Sequence, residues 1–424
     1  MYSERDIERE LRSPSPEVRS NPYPFYAQLR KRGPVIPITQ PLFGRVHLLT
    51  RYEDVFNSLK DPRLVNDRAN AVEGGRNFLD HWWVPRIFRV FQKNMVGQDE
   101  PNHRRLRNLV HKAFTPRMIE NLTARVEQLV DELLDAAAKK PHVDLIADLA
   151  LPVPLTVISE MLGVPEKDRM LFRNMMSRLT EDLGTASLTG LILSYPVALR
   201  LERFFRDLVK LRREQPGDDL TSALIRAEEE GDRLDEEELI SMIFLLLFAG
   251  HETTVNLIGN GTLALLENPD QLQKLREQPE LIDSAIEELL RYANPVGQPS
   301  PRFAREDLEI AGYKLPKGSA VMPLLPSANR DEAAFENADR LDIARSPNRH
   351  VAFGYGIHYC LGAPLARLEG RVAILNLVRR FPELRLAVPR QKLVWRKNLG
   401  LHGLKALPLH LGPSEARAPV SVAA

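Results

Sequence analysis

Apolar residues recur at helical spacing from about residue 102 to residue 293, and this periodicity predicts a long helical region. Breaks are expected where proline removes a backbone N–H donor, near Pro116, Pro152–Pro154, Pro165, Pro216 and Pro269. Strand-like runs flank this region at 35–38, 45–50, 308–322 and toward the end of the chain. The pattern predicts a mainly α fold with small β-sheets, built as a single large helical domain.

The two ends of the chain differ from this body. Residues 1–20 are charged and contain prolines, so we predict an N-terminal arm there. Short helices are expected within 22–33 and 51–61. One folded domain should cover 21–412, and residues 413–424 should form a disordered tail.

The segment 235–267 predicts a buried central helix, because it is too apolar for a surface helix. Its middle, AGHETT at 249–254, weakens a helix through Gly250 and the adjacent threonines, and it carries the acid Glu252. One interpretation is a harmless kink in which a threonine bonds back to a carbonyl. The other is a ligand against this helix, with the Thr253 hydroxyl at the centre of an apolar wall. The candidates for that wall are Leu245, Phe248 and Ala249.

Charge and cysteine content exclude several classes of protein. Lys and Arg total 58 against 57 for Asp and Glu, so the net charge of +1 does not favour binding to nucleic acid. A single cysteine, Cys360, excludes intramolecular disulfides and sites that need several thiolates. The N-terminus has no apolar signal core, and the run 243–249 is far shorter than the ~20 residues of a membrane helix. We therefore expect a cytoplasmic protein with no membrane anchor.

The cysteine lies in an unusual setting, FGYGIHYCLG at 353–362. Glycines surround it, and His358 precedes it by two positions. Glycine is needed where the backbone takes unusual angles or where something approaches it closely. A thiol that only filled core space would not need these glycines.

This loop resembles the cysteine-ligand loop of the cytochrome P450 family, whose pattern is F-x-x-G-x-[HR]-x-C-x-G. The fixed positions are filled by Phe353, Gly356, His358, Cys360 and Gly362. AGHETT resembles the oxygen-activation motif of the same family, with Glu252 as the acid and Thr253 as the alcohol. These patterns, in the family's order, identify the chain as similar to this family from about residue 20 to 410.

Two helical pairs extend the resemblance. Glu288 and Arg291 match the family's E-x-x-R, and His103 and Arg107 match its H-x-x-x-R. Either pair alone would more often be a solvated surface pair. Arg345 is expected to join Glu288 and Arg291 in a structural ion network.

The resemblance implies a single cytochrome P450 fold with the central helix over haem b. Cys360 would ligate the iron, with Phe353, Gly354, Gly356 and Gly362 close beneath the porphyrin and Ala249 and Gly250 above it. The haem propionates would be held by His103, Arg107, Arg302 and His358. Thr253 would hydrogen-bond the activated oxygen or an ordered water, and Glu252 would link that network to solvent.

The implied reaction is monooxygenation, in which one atom of O2 enters an organic substrate by hydroxylation or epoxidation. No flavin or ferredoxin module is expected in the chain, so electrons should come from a separate ferredoxin or flavodoxin with its reductase. Arg104, Arg105 and Lys112 are candidates for its docking site, although a solvated helix face is nearly as good an explanation.

The substrate should be apolar or amphipathic. Beyond the wall residues, the family resemblance suggests a distal pocket that includes Val296, Gln298 and Leu401. Trp82 and Trp83 either cap this pocket or form a structural aromatic cluster.

Three alternatives remain open from the sequence. A peroxide-driven peroxygenase would share the thiolate haem, but such relatives generally lose the acid–alcohol pair. A hydrolase could use Cys360 with His358, although no orienting Asn or Asp supports it. A haem protein without turnover is the third.

Overall fold

Proline sets the boundaries of helices in the middle of the chain, as the sequence predicts. Pro116, Pro152 and Pro269 each begin a helix, and Pro165 precedes another. Pro196 lies inside a helix, so proline alone does not end one.

The structure is a computed structural model and describes residues 2–40, 44–73, 75, 82, 93–113, 116–183, 188–229, 234–297, 301–396 and 400–414.

The helices of the described chain fall into three groups. The first comprises α1 (Glu4–Arg12), α2 (Pro16–Ser20), α3 (Tyr23–Arg32), α4 (Tyr52–Lys60) and α5 (Arg68–Ala71). The helical body comprises α6 (Asn102–Ala113), α7 (Pro116–Ala138), α8 (Pro152–Met161), α9 (Glu166–Leu183), α10 (Leu188–Glu214), α11 (Leu220–Glu229), α12 (Glu236–Glu267), α13 (Pro269–Glu277) and α14 (Ile282–Tyr292). The last are α15 (Leu325–Ala328) and α16 (Ala363–Arg380).

The strands come from both sides of the helical body. They are β1 (Val35–Gln40), β2 (Gly44–Leu49), β3 (Leu64–Val65), β4 (Val143–Asp144), β5 (Arg302–Ala304), β6 (Leu308–Ile310), β7 (Tyr313–Leu315), β8 (Ala320–Pro323), β9 (Arg385–Leu386) and β10 (Pro408–His410). The largest sheet has the order β1-β2-β8-β5-β3, and β2 pairs with β8 in parallel, with Val46 opposite Ala320. A second sheet has the order β4-β10-β9, and β6 pairs with β7. The fold class predicted from the sequence is confirmed.

The first residues do not form the polar arm expected for 1–20. Helix α1 begins with a capping box between Ser3 and Asp6, and Ser15 caps α2. Ile7, Leu11 and Val18 are buried in a core that includes residues of β1 and β2. Residues 4–20 therefore fold onto the body. The tail expected from residue 413 lies outside the described residues from 415 onward.

Helix α12 runs through the main core without a break. Asp235 forms a capping box with Glu238, and the helix packs against α8, α14 and α16. Its length and composition would suffice to cross a membrane, but 67% of its most apolar window is buried inside the protein. The helix therefore belongs to the protein core, and it places AGHETT beside the segment that leads into α16.

Candidate active site

A cavity of about 410 Å³ separates α12 from the cysteine loop. Leu245, Ala249 and Thr253 of α12 line one side of this cavity, and Phe353 and Cys360 line the other. Gly250, Val296, Gly354 and Gly362 are also part of the lining. A thiol thus faces a mostly apolar wall that carries a hydroxyl.

The cysteine loop is held by its own backbone and by α4. The N–H of Cys360 donates to the carbonyl of Phe353 at 2.9 Å. Gly356 has a φ of 73°, and a Cβ built there would lie 2.7 Å from the carbonyl oxygen of Leu59 at the end of α4. Glycine is therefore required at this position by its positive φ and by contact with α4.

The thiol experiences opposing electrostatic effects. Burial raises the pKa of Cys360, while the backbone of Gly362 and Ala363 and the charges of Arg107 and Arg367 act to lower it. The guanidinium of Arg367 also lies 4.7 Å from the centre of the Phe353 ring. The two arginines and the two backbone groups therefore favour the thiolate form of Cys360, and a metal cation bound to the sulfur would favour it further.

One edge of the cavity collects groups that suit an anion. His103, Arg107, Arg302 and His358 all line it. Both ring nitrogens of the buried His103 lack a hydrogen-bond partner among the described residues. Arg107 likewise has no hydrogen-bond or ion-pair partner in the described ranges. The guanidinium of Arg302 is buried and donates to the carbonyls of Ser58 and Leu59 at 3.1 and 2.9 Å.

The pKa values at this edge also indicate uncompensated positive charge. Burial, together with the neighbouring His103, Arg302 and Arg107, lowers the pKa of His358 to about 3. Burial lowers the pKa of Arg302 to about 10. Negative charge placed among these groups would raise both pKa values. A base as weak as His358 is also a poor partner for a cysteine nucleophile, which argues against the hydrolase alternative.

The two residues of the acid–alcohol pair have different environments. The Thr253 hydroxyl donates to the carbonyl of Ala249 at 2.9 Å. Glu252 is only 3% exposed and is not among the residues that line the cavity. Both of its oxygens lie 3.0 Å from Nη1 of Arg396. The acid is thus paired with a cation behind the helix, a partner that the sequence did not suggest.

Several residues predicted for the pocket lie elsewhere. Phe248 is absent from the described lining, and its ring stacks on that of Phe244 at 5.9 Å. Leu401 borders a different cavity, although its backbone pairs with the lining residue Val296. Trp82 is 86% exposed and does not cap the pocket. Gln298 and Trp83 lie outside the described residues.

The residues expected to form an ion network are in contact. Glu288 accepts hydrogen bonds from Arg291 at 2.7 and 2.8 Å and from Arg345 at 3.1 Å. Arg291 is fully buried and also donates to the carbonyls of Asn329 and Ala338. The cluster ties α14 to the chain that precedes the cysteine loop.

Two other residues near the site were missed from the sequence. Asn66 contacts Nε2 of His358 at 3.0 Å and lines the cavity. Glu369 of α16 is fully buried, and burial raises its pKa well above the usual range while the Thr254 hydroxyl opposes this shift. A glutamate inside an otherwise apolar helix face was the available signal for Glu369, whereas no local pattern marks Asn66.

The basic group proposed for partner docking is largely neutralised within the chain. Arg104 pairs with Glu100 at 2.9 Å, and Arg105 pairs closely with Glu238. The placement of the Lys112 side chain is outside the described part of the structure. Arg104 and Arg105 are therefore better explained by ion pairs within the protein.

The residues fit a haem. A thiol, an apolar opposite wall and an edge of unbalanced cations would serve as the iron ligand, the distal face and the contacts of the two propionates. This combination defines a haem-thiolate site.

Comparison with known proteins agrees. The sequence model for cytochrome P450 matches residues 73–399, and the chain belongs to this family. It is 43% identical over 402 residues to the polyketide biosynthesis cytochrome P450 PksS of Bacillus subtilis (strain 168), covering 93% of this chain and 97% of that protein. It is 44% identical over 398 residues to the vitamin D(3) 25-hydroxylase of Pseudonocardia autotrophica, covering 93% and 95%. The crystal structure of myxobacterial cytochrome P450 CYP267B1 in complex with myristic acid has a TM-score of 0.87 at 39% identity, covering 95% of this chain and 99% of that one. The protein is therefore a haem-thiolate monooxygenase with haem b as its cofactor.

Proposed function

We propose that this monooxygenase inserts oxygen into an apolar or amphipathic organic molecule, with electrons delivered by a separate ferredoxin or flavodoxin. The observation that carries the proposal is the cavity, in which an apolar wall of α12 faces Cys360 across about 410 Å³. The reaction consumes O2, two electrons and two protons, and it releases one oxygen atom as water. The other oxygen atom enters a C–H or C=C bond of the substrate.

The chain's own residues have distinct roles in this proposal. Cysteinate-ligated haem supplies the binding and reductive cleavage of O2. Cys360 supplies the thiolate, while His103, Arg107, Arg302 and His358 hold the propionates through charge-assisted hydrogen bonds. Thr253 presents a hydroxyl to the cavity and Glu252 supplies protons. The Glu288–Arg291–Arg345 cluster supports the fold beneath the site.

The substrate class rests on the lining and on relatives. Leu245, Leu246, Ala249 and Ile158 offer dispersion contacts and few hydrogen-bond donors. The names of relatives mention polyketide biosynthesis, vitamin D(3) and myristic acid. Vitamin D(3) and myristic acid are largely apolar molecules. A fatty acid, a steroid-like compound or a macrolide-like compound that displaces water from this cavity should change the spin state of the haem.

The partner should bind where the cysteine loop reaches the surface. Tyr355, Ile357 and Tyr359 are exposed there, next to the thiolate ligand. Ile357→Asp should raise the KM for the redox protein and leave the thiolate spectrum unchanged. Val394→Asp, at an exposed residue outside this loop, is the matched control. The use of such a partner also suggests a cytoplasmic location, which cell fractionation tests.

The central test is spectroscopic. Reduced protein with carbon monoxide should show the thiolate-haem band, and Cys360→Ser should lose it while retaining some haem. A Cys360→Ser protein with the wild-type spectrum would overturn the assignment. Purified enzyme with NADPH alone should turn nothing over until a reductase and a small redox protein are added, and turnover without them would refute the partner proposal.

A further inference from the structure

The guanidinium of Arg367 on α16 lies against the cysteine loop. Its central carbon is 4.7 Å from the centre of the Phe353 ring, and its Nη1 donates to the Tyr359 hydroxyl at 3.3 Å. Both residues adjoin the thiol, since Tyr359 precedes Cys360 and the Phe353 carbonyl accepts the N–H of Cys360 at 2.9 Å. A full positive charge is therefore fixed beside the loop that carries the thiol.

One carboxylate orients this cation. Glu287 of α14 accepts hydrogen bonds from Nε and Nη2 of Arg367 at 2.6 and 2.8 Å, a bidentate geometry that sets the plane of the guanidinium. Burial alone would raise the pKa of Glu287, but the hydrogen bonds from Arg367 and His350 lower it to about 2. The hydrogen bond with Glu287 raises the pKa of Arg367 above its usual range. Both members of the pair are therefore charged near pH 7.

His350 holds the same carboxylate from the side of the cysteine loop. The N–H of Ala352 donates to Nδ1 of His350 at 3.2 Å, so Nδ1 is an acceptor and the ring proton is on Nε2. Nε2 donates to Glu287 at 3.0 Å. In this tautomer the imidazole adds a hydrogen bond to the network without adding a second charge. The network thus contains one cation and one anion, and the cation is the member that contacts the loop.

Stability is a weak reason for this arrangement. The side chains of Arg367 and Glu287 are 36% and 29% exposed, and ion pairs that water reaches contribute little to folding. The helices α14 and α16 are also joined one turn away, where Arg371 and Asp283 lie 3.4 Å apart. The hydrogen bonds and ion pairs described for Arg371 do not include the cysteine loop. Contact with the loop is therefore what distinguishes Arg367 from its neighbour on the same helix.

We propose that Arg367 is a positioning residue whose charge, balanced by Glu287, sets how strongly the Cys360 thiolate donates electrons to the iron. The inference rests on Cys360 as the iron ligand and deepens the proposed function. A positive charge near the sulfur stabilises the negative charge on it and weakens its donation, whereas a negative charge strengthens the donation. The pair therefore keeps the reduction potential of the iron between the values that either charge alone would give.

Potentiometric titration of the anaerobic, substrate-free holoenzyme tests this inference. Glu287→Gln leaves the cation without its anion, so the equilibrium constant for reduction of the ferric iron should rise by about fivefold. Arg367→Met leaves the anion without its cation, so the same constant should fall by about fivefold. The double variant Glu287→Gln/Arg367→Met should return to within about twofold of wild type. Arg371→Met, which removes the cation of the neighbouring pair, is the matched control and should change the constant by less than about twofold.

Infrared spectroscopy of the ferrous protein with carbon monoxide provides a second measurement. Stronger donation by the thiolate puts more electron density on the iron, which lowers the C–O stretching frequency. This frequency should fall in Arg367→Met and rise in Glu287→Gln. Arg367→Lys keeps the charge but not the bidentate geometry, so it should change the frequency and the potential less than Arg367→Met does.

The possible results separate a role of the charges from a purely structural one. Equal potentials in wild type and in both single variants would refute the proposal. Single variants that shift the potential in the same direction, or that both lose the thiolate-haem band, would show that the pair only supports the loop, which also refutes it. Should Arg367→Met alone fail to bind haem, Glu287→Gln still decides the question, because its potential must rise. Absence of the thiolate-haem band from wild type would instead refute Cys360 as the ligand, and with it the proposed function.

Discussion

Thr253 and Ala249 are joined across one turn of α12, where the threonine hydroxyl donates to the alanine carbonyl at 2.9 Å. This is the bond expected if the threonine only bonds back to a helix carbonyl at a kink. The same residue nevertheless lines the cavity. Because its proton is used by Ala249, the oxygen is left to accept a hydrogen bond from the cavity side. The structural interpretation and the catalytic one are therefore compatible in a single geometry.

Removing this hydroxyl should uncouple the enzyme. Thr253→Val keeps the shape of the side chain, so NADPH consumption should stay within about twofold of wild type, while most of the electrons appear as hydrogen peroxide instead of product or water. Thr253→Ser should restore coupling. Thr254→Ala is the positional control, since Thr254 also lines the cavity. Equal peroxide per NADPH in Thr253→Val and wild type would assign the hydroxyl to Ala249 alone.

Arg302 should affect haem retention and apoprotein stability in opposite directions. Its pKa is lowered to about 10 by burial, because the described partners of its guanidinium are carbonyls. Arg302→Met should speed haem dissociation by about tenfold or more, while the apoprotein unfolds at an equal or higher urea concentration. Arg107→Met should speed dissociation less. The exposed Arg305→Met is the control, and an apoprotein clearly destabilised by Arg302→Met would contradict this reasoning.

His402 should make stability sensitive to moderate acid. Its ring stacks on Trp395 at 4.2 Å, and burial together with the charge of Arg390 lowers its pKa from 6.5 to about 4. The folded protein therefore prefers the neutral ring. That contribution is complete above pH 6.5 and is lost as the pH falls from 6.5 toward 4, by roughly 1–3 kcal/mol.

His402→Gln should flatten this dependence, because an amide can still donate to the Arg19 carbonyl that the ring contacts at 3.0 Å. Urea unfolding of the holoenzyme at pH 7 and pH 5 provides the measurement. His410→Gln, at an exposed histidine of β10, should retain the wild-type slope. The same loss of stability in His402→Gln as in wild type would place the pH sensitivity elsewhere.

The ion cluster around Glu288 should contribute far more to the free energy of unfolding than an ion pair on the surface does. Glu288→Gln leaves Arg291 fully buried beside a neutral amide, and we expect it to cost about 3–5 kcal/mol of unfolding free energy. Asp283→Asn is a control on the same helix, since its pair with Arg371 is 3.4 Å long and the Asp283 side chain is 76% exposed. That variant should lose at most about 1 kcal/mol. Similar urea midpoints for both variants would show that Glu288 is not a structural centre.

The sequence is informative where structure depends on local chemistry. Proline positions predict the helix boundaries, because a missing N–H acts within one turn. The apolar run of α12 predicts a core helix, because a helix that is apolar on all sides must be buried. The sequence signal for α1 is weak, because only Ile7 and Leu11 mark its buried face among charged neighbours. Their spacing of four, after the capping residue Ser3, was the available signal.

Relationships over long distances could not be read in this way. β2 pairs with β8 although more than half the chain separates them, and nothing in either strand specifies the register. The partner of Glu252 is equally remote in sequence. Because an unpaired buried acid is costly, the sequence predicts that a cation lies beside Glu252. It does not identify which residue that cation is.

The end of α4 has a consequence for how the haem can be held. The Leu59 carbonyl accepts the hydrogen bond of Arg302 on one side and lies against Gly356 of the cysteine loop on the other. One peptide group thus separates the cysteine loop from Arg302, the two parts of the chain that would hold the haem through its iron and a propionate. A side chain at Gly356 would displace this peptide group, and with it both the cysteine loop and Arg302. A single substitution would therefore weaken two proposed contacts with the haem at once.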